Sequence, residues 1–418
     1  MREIMPAENI FFITNQKNFF NVFNQIKEIE KTFSKEQILV EPDSRNTMPA
    51  ITYALKHLIE KVKIKPDAPV VILPSDHYIG KKEVYLDLIK LACAEVGTYI
   101  GTIGVTPTKP ETGYGYIRKD SGEKIGSHFR VVEFVEKPNK QTAEEYIKSG
   151  QYVWNGGMYI FTPRTFVHEM KECAPVFYSL MSQDFDSFVS QFKNLPEESI
   201  DVAISEKSNN VIVFEGEFGW NDIGSFDNLA EITSKGGANQ LNIDSKNIFV
   251  HSTSGRLVTT LGVDNLNIIE SSDSILIQKR GSGQDVKKIV NYLKENQCKE
   301  LDDNIVSYRP WGSYEVLLDT PVYKVKKIVV YPGARLSLQS HLHRAEHWII
   351  VRGLAKIING DKELYLRENE STFIPSLAKH RLENPGKFNV EMIEVQTGNY
   401  MEEDDIIRYD DEYDRIEK

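Results

Sequence analysis

One stretch decides how the C-terminal part of the chain is interpreted: Gly333-Ala-Arg-Leu-Ser-Leu-Gln-Ser-His-Leu-His-Arg-Ala-Glu-His-Trp348. Four of the nine histidines lie in this stretch or shortly after it. Alternate residues of a strand face the same side, so Gln339, His341 and His343 are predicted to share one face. Glu346 is expected to return to that face after a small bend. Imidazole, carboxylate and amide ligands together suit a borderline divalent metal such as zinc.

A second stretch, Pro375-Ser-Leu-Ala-Lys-His-Arg-Leu-Glu-Asn384, adds His380 to the candidate ligands. An isolated His-x-His pair is more often a solvated or hydrogen-bonded surface than a metal site, and that alternative applies to either stretch alone. Two such stretches in one strand-rich region favour a metal site that leaves one coordination position open for a substrate.

The spacing in the first stretch resembles the first motif of the cupin barrel. It reads Gly, five residues, Gln, one residue, His, four residues, Glu, six residues, Gly, with Gln339 where that motif usually has its first histidine. The stretch that contains His380 resembles the second cupin motif, with Leu377 in place of its usual glycine. Residues 308–396 are rich in predicted strands and turns, as in a small all-β barrel.

The same region resembles the isomerase domain of the bifunctional mannose-6-phosphate isomerase / mannose-1-phosphate guanylyltransferases, the type II phosphomannose isomerases. The segments that carry the resemblance are LSLQSHLHRAEHWIIVRG (336–353), ENESTFIP (368–375), HRLENPGK (380–387) and IEVQTGNYMEEDDIIRYDDEYDR (393–415). The resemblance implies reversible conversion of mannose 6-phosphate to fructose 6-phosphate. It also implies a divalent metal, zinc or similar, bound by Gln339, His341, Glu346 and His380.

The isomerisation that the resemblance implies needs a metal, a base and a cation. A metal can polarise the sugar oxygens, and a base must move a proton between C1 and C2; the residue patterns do not identify that base. We expect Arg408 to be a catalytic or phosphate-binding cation, because a guanidinium suits oxyanions. The alternative for Arg408 is a salt bridge within its acidic run. Arg344 and Arg415 are weaker candidates.

The first half of the chain alternates strand-like and helix-like segments. This alternation predicts an α/β domain with a mostly parallel sheet and helices on both faces. Asp76 directly follows a predicted strand, where such sheets bind ligands. Thr142 and Glu145 are expected to form a capping box, and Gly150 to end that helix. The strand-like and helix-like segments used here are residues 9–15, 18–33, 70–76, 99–105 and 129–135.

Six motifs in this half resemble the guanylyltransferase portion of the same bifunctional enzymes, whose domain is nucleotidyltransferase-like, or Rossmann-like. Each motif alone is weak, but their order along residues 8–228 is a strong signal. They are EPDSRNTMPA (41–50), LPSDH (73–77), ETGYGY (111–116), VEKP (135–138), WNGGM (154–158) and GWNDIG (219–224).

The resemblance implies GDP-mannose synthesis, in which mannose 1-phosphate attacks the α-phosphorus of GTP and pyrophosphate leaves. Asp76 and Asp222 would be catalytic and would bind Mg²⁺, which prefers carboxylate and phosphate oxygens. The alternative for either aspartate alone is a cap at a strand end. The resemblance also implies that Glu136 and Asn155 bind the sugar hydroxyls and that Lys137 binds the sugar phosphate. The backbone at Gly113 would approach the sugar closely, and the nucleotide would lie near Glu41, Arg45 and Asn46.

The Gly-rich loop of the type GGxGxRLWP, with which members of that family begin, does not occur in this sequence. The chain starts Met-Arg-Glu-Ile-Met-Pro, so the domain is expected to be N-terminally truncated and guanylyl transfer to be impaired. Residues 279–284 contain the nearest Gly-rich run and are expected to form a turn and a helix entry. The alternatives are an isomerase with a structural N-terminal half and a non-catalytic sugar-binding cupin.

The pattern changes after residue 236, where short β-prone pieces at 245–280 predict a short β-solenoid-like linker before a helix at about 284–296. The resulting domains are a nucleotidyltransferase-like domain at 1–236, a β-rich linker and helix at 237–304, and a cupin isomerase domain at 305–418.

Composition supports a globular enzyme and excludes some other classes. The chain has 418 residues, 40% hydrophobic and 27% charged, which suits two or three domains with real cores. Its net charge of −11 argues against nucleic-acid binding. Three separated cysteines provide no disulfide framework, and no stretch reaches the length of a membrane span. We therefore expect a cytoplasmic protein that binds no membrane; association into a homo-oligomer is left open.

Overall fold

The structure is a computed structural model that describes residues 1–120, 124, 126–233, 239–271, 273–298, 301 and 306–410. The chain divides into two compact units. The first contains most of the chain up to Ile289, and the second contains Phe23–Ile29 and the chain from Val290 onward. Among the described residues no helix is both long and apolar enough to cross a membrane. The predicted boundaries at 236/237 and 304/305 lie outside the described residues.

The helices of the described chain are α1 (Phe19–Ile29), α2 (Thr47–His57), α3 (Lys82–Glu95), α4 (Lys140–Ser149), α5 (Pro163–Cys173), α6 (Pro175–Met181), α7 (Phe185–Gln191), α8 (Phe226–Ile232) and α9 (Val286–Glu295). The strands of the first unit are β1 (Phe12–Thr14), β2 (Ile38–Val40), β3 (Val70–Ile72), β4 (Tyr78–Ile79), β5 (Ile100–Val105), β6 (Tyr116–Lys119), β7 (Phe129–Val135), β8 (Tyr152–Phe161), β9 (Val211–Glu215), β10 (Trp220–Asn221), β11 (Gln240–Ile243), β12 (Lys246–Ser252), β13 (Val258–Leu261), β14 (Asp264–Glu270) and β15 (Ile275–Lys279).

The central sheet of the first unit has the strand order β3-β8-β5-β9-β7-β6. Only the β5–β9 pairing in it is parallel, so the expectation of a mostly parallel sheet is wrong. The long strand β8 lies between β3 and β5 and runs antiparallel to both. Hydrophobic periodicity reports which face of a strand is buried but not its direction, and therefore it could not reveal this insertion.

Helices pack on both faces of this sheet, as predicted. The alternating side chains of β8 show this, because Tyr159 and Phe161 join a core with α2, α5, α6 and α7. Met158 and Ile160 join a second core with α3 and α4. Both faces of the strand are therefore covered, which explains its nearly continuous apolar sequence.

Helix α4 ends as predicted but begins differently. Gly150 has φ 67° in the left-handed region and terminates the helix. The N-cap is Asn139, whose Oδ1 accepts a hydrogen bond from Thr142 N at 3.0 Å. The predicted Thr142–Glu145 capping box is therefore wrong, because Asn139 already satisfies the first free N–H groups.

Residues 240–279 form the predicted solenoid. Strands β11 and β13, and likewise β12 and β14, pair in parallel with an offset of 18 residues. Asn247 and Asn265 stack in this register, with Nδ2 of the first 2.8 Å from Oδ1 of the second, and both have positive φ. Residues 279–284 form a turn and lead through the short helix Gly283–Asp285 into α9, as expected.

Residues 306–410 of the second unit form the predicted all-β cupin barrel. Its two sheets have the orders β16-β17-β18-β25-β20-β23 and β22-β21-β24-β19-β26. Inward-facing side chains of both sheets, including Trp348, Ile357 and Leu382, form one core. Its strands are β16 (Val306–Arg309), β17 (Gly312–Asp319), β18 (Tyr323–Val330), β19 (Leu338–His341), β20 (Arg344–Arg352), β21 (Ala355–Asn359), β22 (Lys362–Leu366), β23 (Ser371–Ile374), β24 (His380–Glu383), β25 (Val390–Gly398) and β26 (Ile406–Asp410).

Candidate functional site

Three buried side chains converge inside the barrel. His341 ends β19, Glu346 lies in β20 and His380 begins β24. Oε1 of Glu346 lies 3.0 Å from His341 Nε2, and its Oε2 lies 3.6 Å from His380 Nε2. One ligand atom from each of the three residues lies within 4.8 Å of the other two. Two imidazoles and a carboxylate at this separation are the donor set that a divalent metal such as zinc takes.

The hydrogen bonds of the two histidines fit that donor set. Nδ1 of His380 lies 2.9 Å from the Ala378 carbonyl oxygen, which can only accept, so Nδ1 carries the proton and the Nε2 lone pair faces Glu346. Within the described structure, His341 Nδ1, His341 Nε2 and His380 Nε2 are buried and form no hydrogen bond of acceptable geometry, although both Nε2 atoms lie close to the Glu346 carboxylate. Buried polar atoms usually have partners, and a bound metal would supply one here.

The charges around Glu346 keep it ionised despite its burial. Burial alone raises its pKa, but the contact with His341 and the charge of Arg344 hold the pKa well below its ordinary value. Burial lowers the pKa of His380 and favours its neutral imidazole. A deprotonated carboxylate and a neutral imidazole are the forms that bind metals.

Two other residues of the stretch, Gln339 and His343, have different surroundings. Gln339 pairs in register with His380 between β19 and β24, and its Oε1 accepts a hydrogen bond from Ser337 Oγ at 3.0 Å. His343 was expected to share the face of Gln339 and His341, which is wrong. Its side chain is 59% exposed, and its Nδ1 lies 2.8 Å from Asp405 Oδ1. Strand β19 ends at His341, so the alternation of faces does not continue to His343.

A pocket in the same unit is lined by Gln339 and by four cationic side chains. They are Arg309, Lys326, Arg344 and Arg408. Arg344 is 2% exposed, and its Nη1 donates to the Glu402 carbonyl oxygen at 3.1 Å. Nη2 of Arg408 lies 3.8 Å from Glu403 Oε2. Arg408 therefore lines the pocket, as a phosphate-binding cation would, and it also has the acidic neighbour that a salt bridge requires. Such a cluster of cations suits an anionic ligand.

Glu394 is a pocket residue that the sequence interpretation missed. It is 4% exposed, and its carboxylate accepts hydrogen bonds from Trp348 Nε1 at 3.0 Å and from Gln396 Nε2 at 2.9 Å. Burial and the charge of Glu346 raise its pKa to about 8. The signal was available, because Glu394 and Gln396 are polar residues at the inward-facing positions of β25, where apolar residues are the rule.

In the first unit, strand pairing brings Asp76 and Asp222 toward each other. Strands β4 and β10 pair antiparallel, with Tyr78 opposite Asn221, so the two aspartates border the same end of this ribbon. His77 lies between their charges: burial lowers its pKa, and the charges of Asp76 and Asp222 partly offset that effect.

The two oxygens of Asp222 have different surroundings. Oδ1 accepts from Tyr114 Oη at 2.7 Å, Asn228 Nδ2 at 2.8 Å and Gly224 N at 3.0 Å. Oδ2 accepts no hydrogen bond from any residue of the described chain. A carboxylate held by one oxygen while the other stays available fits a hard cation such as Mg²⁺.

A second polar group surrounds Asn155. Its Nδ2 donates to Asp201 Oδ1 at 2.8 Å, and its Oδ1 accepts from Thr102 Oγ1 at 3.0 Å. Glu136 faces Asp201, and burial raises the pKa of Glu136 while Lys137 Nζ lies 2.9 Å from its Oε1. The structure thus brings Glu136, Lys137 and Asn155 together and adds Asp201, which the sequence interpretation missed because its motif was not among the six.

The other predicted residues of this unit lie in two places. Arg45 and Asn46 precede α2, where Arg45 Nη1 donates to the Leu195 carbonyl oxygen at 2.9 Å and Asn46 caps the helix. Neither is bonded to the Asp222 or Asn155 groups within the described chain. Gly113 lies beside Tyr114, and its N donates to Glu111 Oε1 at 3.1 Å. Arg415 lies outside the described residues.

Known proteins resemble the chain over its whole length. Three family models match: Nucleotidyl transferase over residues 3–238, MannoseP isomerase/GMP-like beta-helix domain over 238–293, and Mannose-6-phosphate isomerase C-terminal over 295–411. A "Mannose-1-phosphate guanylyltransferase" of Salmonella montevideo is 41% identical over 438 aligned residues, which cover 98% of this chain and 90% of that protein.

Two further relatives extend this result. The "Xanthan biosynthesis protein XanB" of Xanthomonas campestris pv. campestris (strain B100) is 36% identical over 425 residues, covering 96% of this chain and 88% of that protein. A crystal structure described as mannose-1-phosphate geranyltransferase from Thermus thermophilus has a TM-score of 0.61 and 27% identity, covering 70% of this chain and 86% of that one. The chain therefore belongs to the nucleotidyl transferase family, among the mannose-1-phosphate guanylyltransferases that carry a C-terminal mannose-6-phosphate isomerase domain.

Proposed function

We propose that the protein has two activities of the GDP-mannose pathway, one in each unit. The cupin barrel interconverts mannose 6-phosphate and fructose 6-phosphate, and the first unit forms GDP-mannose and pyrophosphate from GTP and mannose 1-phosphate. The observation that carries the proposal is the buried group of His341, Glu346 and His380 beside a cation-lined pocket. We assign the two activities to residues 305–418 and 1–236, with 237–304 between them.

In the isomerase site the cations of the pocket bind the phosphate of the sugar. Arg344 and Arg408 present planar guanidinium groups that match phosphate oxygens, and Lys326 adds a third charge. A divalent metal such as zinc, held by His341, Glu346 and His380 with Gln339, would polarise the sugar oxygens while a proton moves between C1 and C2.

Glu394 is the proton carrier in this proposal. Its carboxylate lines the pocket and is oriented by Trp348 Nε1 and Gln396 Nε2. Glu403, the other carboxylate that lines the pocket, has a side chain that is 62% exposed and points toward Arg408. A buried, oriented carboxyl group whose pKa is raised to about 8 can take up and return a proton near neutral pH, as a general acid–base residue must.

In the transferase site the aspartates and the Asn155 group have separate tasks. Asp76 and Asp222 would hold Mg²⁺, which would neutralise phosphate charge. Glu136 and Asn155 bind the mannose hydroxyls, and Lys137 binds the sugar phosphate. The carbonyl of Asn155 already accepts from Thr102 and Gly157, so an amide N–H is the group it offers to a hydroxyl.

The nucleotide side of the transferase site uses the other residues that the sequence indicated. Arg45 and Asn46 lie near the guanosine triphosphate, and the backbone at Gly113 approaches the sugar. Transfer of this kind depends on positioning and charge neutralisation, because the phosphate of mannose 1-phosphate is itself the nucleophile and no protein nucleophile takes part.

The test is to assay both reactions with purified residues 1–418. Fructose 6-phosphate formed from mannose 6-phosphate reports isomerisation, and pyrophosphate released from GTP and mannose 1-phosphate reports transfer. Dialysis against a chelator should abolish isomerisation, and divalent zinc should restore it. Isomerisation without transfer would support an isomerase with a structural first unit. Stoichiometric sugar-phosphate binding without either turnover would support a non-catalytic cupin.

A further inference from the structure

The carboxylate of Asp227, in the first turn of α8, is held entirely by the solenoid and by the turn that directly follows it. Its Oδ1 accepts hydrogen bonds from Asn267 Nδ2 at 2.7 Å and from Gly281 N at 2.9 Å. Its Oδ2 accepts from Gly283 N at 3.0 Å and, more weakly, from Gln278 Nε2 at 3.5 Å. All four donors lie 40 to 56 residues further along the chain. An aspartate that only stabilised its own helix would not need distant donors on both oxygens.

Gly283 can approach this helix only because it has no side chain. A Cβ atom at Gly283 would lie 2.9 Å from Asp227 Oδ2 and 2.9 Å from Ser225 Cβ. Ser225 is the N-cap of α8, and its Oγ accepts a hydrogen bond from Asn228 N at 3.2 Å. The turn at residues 281–283 is therefore fitted against the first turn of α8.

The next residue of α8 holds the candidate Mg²⁺ carboxylate. Asn228 is 4% exposed, and its Nδ2 donates to Asp222 Oδ1 at 2.8 Å and to Tyr114 Oη at 3.0 Å. Asp227 and Asn228 are adjacent in one helical turn, so the same backbone carries the contact with the solenoid and the contact with Asp222. A shift of this turn would move both.

The segment that follows the solenoid also reaches the loop that carries Gly113. A Cβ atom at Gly113 would lie 2.8 Å from Gln284 Nε2 and 3.4 Å from Glu111 Oε1. Gln284 directly follows the turn that Asp227 holds. The end of the solenoid therefore borders the transferase site at two points, at α8 and at Gly113.

We propose that Asp227 is a positioning residue for guanylyl transfer. It locks the turn Gly281–Gly283 against α8 and in this way fixes Asn228, which in turn orients Asp222. The solenoid then serves as a brace for the transferase site. The proposal rests on the proposed transferase function, because it assigns the orientation of Asp222 to that reaction.

The test variant is Asp227→Asn. The substitution keeps the size of the side chain but replaces one oxygen with an NH₂ group that faces backbone N–H donors. We expect GDP-mannose formation to fall about 10–100-fold in kcat, as for other residues that orient a metal ligand. The Mg²⁺ concentration for half-maximal transfer should rise, the KM for mannose 1-phosphate should change less than kcat, and isomerisation should stay unchanged. The matched control is Asp285→Asn, which removes the same charge from an aspartate that is 62% exposed.

Hydrogen exchange provides a readout that does not depend on activity. Backbone amides of residues 220–225 and 111–116 should exchange faster in Asp227→Asn than in wild type and in the Asp285→Asn control. Gly283→Ala keeps the carboxylate but forces the turn away from Ser225, and it should reproduce both the kinetic and the exchange effects.

The outcomes separate this proposal from the proposed function. Wild-type kinetics and wild-type exchange in Asp227→Asn would overturn the positioning role. If both variants unfold the first unit, as judged by circular dichroism, Asp227 is a stability residue and the proposal is wrong. If wild-type protein releases no pyrophosphate, the transferase function is wrong, while unchanged exchange at residues 220–225 would separately refute the brace.

Discussion

Trp348→Phe should weaken the isomerase site without removing any proposed ligand. Trp348 is fully buried, and its single Nε1–H lies 3.0 Å from both Glu346 Oε2 and Glu394 Oε1. It is therefore a shared donor between two carboxylates that are themselves buried. Phenylalanine keeps an aromatic ring in the core but cannot donate, so both carboxylates lose this hydrogen bond while Gln396 Nε2 still serves each of them.

The expected cost follows from these contacts. A hydrogen bond to a charged group contributes about 1.5–3 kcal/mol, and the smaller ring leaves a cavity that costs about 1 kcal/mol more. The cupin barrel should therefore lose about 3 kcal/mol of unfolding free energy. Because Glu346 also loses a group that orients it, affinity for the cupin metal should fall about 10–100-fold.

The assay follows the barrel by hydrogen exchange, since a chain with two compact units does not unfold in one two-state transition. Urea dependence of exchange at residues 344–352 gives the free energy of opening, and metal titration of the chelated protein gives the affinity. The control is Ile350→Val, which removes buried apolar volume with no polar contact and should cost about 1 kcal/mol with unchanged metal affinity. Equal losses in the two variants, or wild-type metal affinity in Trp348→Phe, would refute the reasoning.

Four further predictions use the isomerisation and pyrophosphate assays, metal analysis and thermal unfolding. His380→Ala should lower bound metal and isomerisation more than about 100-fold, since even residues behind the ligands cost about 10–100-fold; full metal content with full activity would contradict the ligand assignment. Glu394→Gln should keep the metal but slow isomerisation by about 10²–10⁴-fold, the usual contribution of a general base; a normal rate would assign the proton to another residue. Asp76→Ala should abolish pyrophosphate release and leave isomerisation unchanged, and a parallel loss of isomerisation would show that the sites are not independent. Burial raises the pKa of Asp405, but hydrogen bonds from His343 lower it by more, so the net shift of this pKa is downward. The ionised Asp405 therefore stabilises the fold at pH values above the ordinary carboxyl pKa, and this contribution is lost as pH falls through the pKa of Asp405 in the folded protein. In thermal unfolding, Asp405→Asn should be destabilised less by acid than wild type.

Motif spacing identified the residues that converge in the barrel. His341, Glu346 and His380 come from three strands, yet ligand chemistry limits such sets to a few residue types at characteristic separations. A buried strand was also readable, because β5, which is buried along its whole length, corresponds to an apolar run bounded by polar residues. The solenoid followed from repeated short β-prone pieces, although its 18-residue register became measurable only in the structure.

Two interpretations assumed that a local pattern continues along the chain, and both were wrong because other contacts ended the pattern. His343 left the predicted face because β19 ends at His341 and Asp405 binds the next histidine. Asn139 replaced the predicted cap of α4 because competing side chains near a helix start differ by only about 1 kcal/mol.

The sequence by itself determined the class of each part of the chain and the residue types available for chemistry, because periodicity and ligand spacing are local properties. Only the tertiary structure decided which strands are neighbours, that β8 runs antiparallel between β3 and β5, that Glu394 shares the Trp348 donor with Glu346, and that Asp227 binds the turn after the solenoid. These facts depend on contacts between residues far apart in the chain. Such contacts form by burial and hydrogen bonding in three dimensions and leave no periodic signal in the sequence.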